Sequence, residues 1–155
     1  MLDFKAFIRM AINSNGLNID FKRREEIIFA RSIIWDEDLG GCEFFEDLTL
    51  DKLAQLLESG FAEPQQTQNN SPTIQEFYEF GKKSQNLGYE PFFIGYVVSP
   101  DRENYRTSIE GIQLSLEIET IDSRICADFI SAFERFAQTA DETDIALKLL
   151  YAWWD

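Results

Sequence analysis

The chain contains no histidine among its 155 residues. Without imidazole, no side chain has an ordinary pKa between pH 5 and 8. Ser-His-Asp and Cys-His nucleophile systems cannot be built from it, nor can a zinc site with histidine ligands. A general base near neutrality would have to be a carboxylate with a raised pKa or a desolvated lysine. Cysteine is nearly as scarce. Cys42 and Cys126 lie far apart and form no CxxC pair, which points to a reducing compartment and not to a disulfide framework. Neither has a histidine to lower its pKa, and Cys42 sits among acids that disfavour a thiolate. Four prolines and eight glycines are too few for a low-complexity chain.

Long apolar runs are missing too. No stretch approaches the roughly 18 apolar residues that suggest a membrane span. Residues 1–16 lack the basic start and apolar run of a secretory signal, so the sequence reads as cytoplasmic. There is no P-loop, no Gly-rich dinucleotide fingerprint and no GxSxG elbow.

Base is outnumbered by acid, with 14 Lys and Arg against 28 Asp and Glu, for a formal charge of -14. Direct nucleic-acid binding and anionic membranes are disfavoured, because both depend on Lys and Arg. A basic protein or a cation is compatible. What is plentiful is apolar surface: 45% of residues are hydrophobic, including 14 Phe, 5 Tyr and 3 Trp. That suffices for a packed core and argues against disorder. The length fits a single domain spanning 1–155, since domains commonly run about 100–150 residues.

Residues 4–13 show helical spacing at Phe4, Phe7, Ile8, Ala11 and Ile12. Asp20 is placed to cap a helix reaching Trp35, with Lys22-Arg23-Arg24-Glu25-Glu26 as paired surface charge. Residues 36–47 read as an acidic loop. Thr49 caps a helix to Ser59 carrying Leu50, Leu53, Leu56 and Leu57, and Gly60 follows it. Residues 62–73 are rich in Gln, Asn and Pro and read as a flexible polar loop. Thr73-Ile-Gln-Glu76 is a capping box that opens a helix ending near Gly88.

Residues 92–98 are apolar on both alternating faces, as in a central strand. Ser99–Asn104 is a turn, with Arg102, Tyr105 and Arg106 as an exposed island around it. Residues 105–119 alternate with period two, and Gly111 inside them suggests a bulge or a sharp bend. Ser123 opens a helix with Ile125, Phe129, Ile130, Phe133, Phe136, Ala137 and Ala140 on one face. Residues 145–154 fit either helix or strand, and a strand returning to the sheet is the reading taken. The fold expected is α+β: N-terminal helices, then an antiparallel sheet of three or four strands with a packed helix.

Acid is concentrated. From Asp36 to Glu63 there are nine carboxylates and one base, Lys52, whereas residues 1–35 carry six bases and four acids. The function expected is non-catalytic binding of a basic protein partner through residues 36–63, because opposite fields steer encounter. The candidate contacts are Asp36, Glu37, Asp38, Glu43, Glu46 and Asp47, with Trp153 and Trp154 as aromatic anchors. On a strand those two indoles point to opposite faces.

The alternative is a small-molecule or divalent-cation site, with calcium held by Asp36, Asp38 and Asp47. Against the twelve-residue calcium loop, Asp36, Asp38, Gly41 and Asp47 fall at positions one, three, six and twelve. Gly40 stands where a side-chain ligand is needed, Glu43 where an apolar residue is usual, and Asp47 where a bidentate Glu belongs. A third reading is a histidine-free enzyme using carboxylates in a cleft, which requires a concave pocket with at least two of them.

Overall fold

The computed structural model describes residues 12–35, 41–116 and 123–155. Capping chemistry sets the helices. Helix α1 spans Phe21–Phe29 and stops at Ala30, whose left-handed backbone (φ 55°) breaks the turn six residues short of the expected end. Asp20 precedes it but makes no side-chain cap; its own N–H donates to Asn18 Oδ1. The Thr49 hydroxyl accepts from the Lys52 N–H and starts α2, Leu50–Glu58. Thr73 does the same with the Glu76 N–H for α3, Ile74–Asn86. Helix α4 is Ser123–Phe136.

Among the described residues five strands form one antiparallel sheet in the order β1-β2-β3-β5-β4. They are β1 (Cys42–Thr49), β2 (Tyr89–Val98), β3 (Thr107–Leu116), β4 (Glu142–Ile145) and β5 (Leu149–Trp153). The α+β class holds, with two corrections. The helices are not gathered at the N-terminus, and the sheet has five strands and not three or four. The strands beyond those expected are β1 and β4. Residues 42–47, expected in an acidic loop, pair with β2 from Cys42↔Val98 onward. Phe45 and Leu48 supply the buried anchors that make this segment a strand despite its acids. The C-terminal stretch forms a strand as expected, within a β4–β5 hairpin. The helix expected over 4–13 and the end of the strand expected to 119 lie outside the described residues, apart from Ile12 and Asn13.

Helices α2, α3 and α4 cover one face of the sheet. Phe77 meets Phe93, Phe136 and Trp154 edge-on, with the Trp154 centroid 5.3 Å away. Phe80 stacks on Phe136 at 4.3 Å. Burying each such ring stabilises the fold by roughly 1.5–3 kcal/mol. The buried side of α4 is Cys126, Phe129, Phe133 and Ala137, whereas Ile125 is exposed. The 62–73 segment lies along the part of β3 that β5 leaves unpaired. Ser108 Oγ bonds Gln68 there at 3.3 Å, and Ser71 is buried.

The basic-acidic run in α1 departs from a solvated face. Arg24 and Glu25 are both buried. The Arg24 guanidinium donates to the carbonyls of Val98 (3.0 Å) and Arg106 (3.2 Å) and lies 4.4 Å over the Tyr105 ring. Tyr105 is itself buried and donates to Asn18 O. Burial pulls the Arg24 pKa down and pushes the Glu25 pKa up. Glu25 accepts from the Trp35 indole, while its second oxygen is buried without a partner.

Two β-bulges interrupt the sheet beside one glycine. On β1, Glu46 and Asp47 stand between the pairs Phe45↔Gly95 and Leu48↔Phe93. On β3, Glu110 is the extra residue between Ile109↔Gly95 and Gly111↔Ile94. A Cβ at Gly95 would overlap the Ser108 carbonyl oxygen and press on the Phe45 ring. Gly95→Ala therefore loses about 1–3 kcal/mol or more of stability in urea unfolding. A variant as stable as the parent would show that this close approach is not required.

Candidate functional site

The sheet face opposite the helices carries a concave cavity of about 750 Å³. That lies within the roughly 300–1,000 Å³ typical of ligand pockets. Alternation along the strands supplies its floor. On β5, Leu150 and Ala152 are buried in the core, so Tyr151 and Trp153 face the other way. On β2, Phe93 is in the core and Phe92 and Ile94 face the cavity. Phe44 lies at the margin, 66% exposed, with its ring 5.7 Å from that of Tyr96.

The bulges supply the acids. Each pushes its extra residue out of the ladder, and both deliver carboxylates to the open face: Glu46 and Asp47 from β1, Glu110 from β3. Glu142 on β4, paired with Trp153, adds a fourth. Among the described residues no Lys or Arg lines the cavity.

Glu110 is the deepest of these carboxylates, only 9% exposed. Burial raises its pKa; the polar N–H of the neighbouring Trp153 indole pulls the other way, and nearby Asp155 adds to the rise. Tyr151 is raised first by burial, then by Glu142, Glu46 and Glu110. The acids thus surround the phenol and make one shared negative field.

The structure divides the candidates named from sequence. Glu46, Asp47 and Trp153 come together in the cavity. Glu43 does not, because it points to the helix side of β1 and pairs with Arg31 at 3.2 Å. Trp154 is fully buried in the core, with its indole donating to Thr139 Oγ1 at 3.0 Å. Asp36, Glu37 and Asp38 lie outside the described residues. Asp51 and Glu58 are on α2, so residues 36–63 are distributed over several surfaces and not one.

Of the calcium-loop candidates, Asp36 and Asp38 lie outside the described residues, and Asp47 lies in the bulged strand β1, three residues before α2 begins. Among the described residues no three His, Cys, Asp or Glu side chains gather in metal-holding geometry.

The island expected to be exposed at Arg102, Tyr105 and Arg106 is exposed only at Arg102. Tyr105 is buried, and Arg106 donates to Tyr96 Oη (2.8 Å) and Asn104 O (3.1 Å). Arg102 reaches Cys42 Sγ at 3.8 Å.

Sequence reasoning missed Glu110, Glu142, Tyr151 and Phe92. For Glu110 a signal was present: it precedes Gly111, the residue that marks the bulge, and bulges re-aim side chains at sites. Comparison with protein-family models, with curated proteins and with solved structures found no match.

Two predictions follow from the site's geometry. Trp154→Ala costs about 3–5 kcal/mol in denaturant unfolding, and Trp153→Ala costs clearly less, because only Trp154 fills the core. Equal losses would contradict the opposite orientations. Glu110 has a folded pKa above its unfolded one, so its stabilising contribution is full below the unfolded carboxylate pKa and is lost as pH rises through the folded value. Glu110→Gln is therefore more stable than the parent at neutral pH, and the difference vanishes below about pH 4. A gap that widens on acidification would reverse this sign.

Proposed function

We propose that this protein is a non-catalytic binding module that takes a basic protein partner on the open face of its sheet. The observation that carries this reading is a concave aromatic floor ringed by four carboxylates, with no base among the described lining residues. Aromatic floors supply contact area at small entropic cost, and a field of one sign selects partners of the other. Glu46 and Asp47 from the acidic segment contribute, joined by Glu110 and Glu142. The surface is therefore assembled from the two edge strands and the middle of the sheet, and not from residues 36–63 alone. The cytoplasm, where thiols stay reduced, is the setting that the two separated cysteines favour.

One observation favours a second reading, the histidine-free carboxylate enzyme. Glu110 is pushed by burial towards its protonated form beside three more exposed acids, an arrangement that separates acid from base roles.

The test of the first reading is calorimetric titration with an arginine oligomer at low and high salt, for the parent chain and for Glu46→Lys/Asp47→Lys. The parent binds, salt weakens it, and the double variant loses at least about tenfold in affinity. Unchanged binding in the double variant would overturn the assignment of this face.

A further inference from the structure

Resting on the reading of the open face as a receptor for a basic partner, the geometry narrows the occupant to one type of side chain. The deep end of the cavity joins three things: the Glu110 carboxylate, the Trp153 indole beside it, and the Tyr151 ring on the same face of β5. A carboxylate has two oxygens and about four acceptor sites, more than one neighbouring indole N–H could fill. What fits beside it must be cationic, planar enough to lie on an aromatic face, and able to donate more than one hydrogen bond. A guanidinium meets all three conditions. It stacks on aromatic rings, pairs with carboxylates through a fork of donors, and gives up its hydration more readily than an ammonium.

We propose that this cavity is a receptor for a single arginine side chain of the partner, its guanidinium stacked on the Trp153–Tyr151 floor and paired with ionised Glu110, so that acidification releases it.

The balance is one of protons alone. Bound arginine favours the ionised carboxylate, and a proton taken up by Glu110 removes the charge that holds it. The groups facing Glu110 among the described residues are Glu46 and Asp47 on β1, Glu142 on β4, Tyr151 on β5 and Asp155 just beyond it. β2 presents only Phe92 and Ile94. Every titratable neighbour is therefore an acid or a phenol, and none supplies a positive charge to replace the ligand. Burial raises the Glu110 pKa, so this carboxylate takes up a proton more readily as pH falls than it would in water.

The experiment titrates an arginine oligomer and a lysine oligomer of equal length into the full chain and into Glu110→Gln, from neutral pH down through the carboxylate range at fixed low salt. The parent prefers arginine by about tenfold, and its affinity falls by up to about tenfold per pH unit once Glu110 takes up its proton. Glu110→Gln, which should be the more stable protein at neutral pH, binds at least about tenfold more weakly there. Its affinity stays flat over the first part of the acid range. Equal affinity for the two oligomers overturns the guanidinium assignment. Parallel pH curves for parent and variant, with salt-sensitive binding intact, overturn Glu110 as the anchor while leaving the basic-partner reading standing. Absence of binding by the parent at every pH overturns both.

Discussion

A missing methyl group at Gly95 governs the geometry of the whole sheet. At that point β2 is flanked by a bulge on each side, and the Ser108 carbonyl and the Phe45 ring close in on its α-carbon. Two bulges abreast twist a sheet more strongly than either alone, and each swings its extra residue away from the ladder. The result is curvature with a charge pattern attached. The helix side receives Phe45, Leu48, Phe93 and Ile112, all buried, and the open side receives Glu46, Asp47 and Glu110. The core and the candidate site are thus set by the same local constraint. A register slip of one residue would exchange their contents.

A second constraint holds the end of the β2–β3 hairpin. Arg24 reaches from α1 into a fully buried position and fastens the carbonyls of Val98 and Arg106, where the two strands part. A buried charge is costly unless hydrogen bonds and compensating groups surround it. Here the compensation comes from carbonyl dipoles, the Tyr105 ring and the electrostatic attraction of Glu25. Such an arrangement fixes one docking angle for α1, because shifting the helix would leave the guanidinium dry and unpaired.

Much of this was legible in the residues. Thr49 and Thr73 announced their helices through a hydroxyl at the cap position, since cap chemistry is local. The alternation from Thr107 to Leu116 and the glycine within it gave both the strand and its bulge. What failed to show was non-local. Strand β1 was hidden because Cys-Glu-Phe-Phe-Glu-Asp has no clean period, and its bulge is the reason. Arg24 and Glu25 read as surface because charged residues are almost never buried unless paired, and the carbonyls that hold Arg24 come from 74 and 82 residues later in the chain. The candidate site was half visible for the same reason. Glu46, Asp47 and Trp153 stood out by composition, whereas Glu110 and Glu142 join them only through strand order.

The opposite orientations of neighbouring indoles make the protein its own optical probe. Trp154 is enclosed among phenylalanines, Trp35 is fixed against Glu25, and Trp153 looks into the acid-lined hollow. Collisional quenchers that differ only in charge will sense this difference. Iodide is repelled from Trp153 by the carboxylates while caesium is drawn to it, and neither reaches Trp154. The ratio of the two quenching constants then measures the local potential inside the hollow, and its response to salt reports how far that field extends into solution.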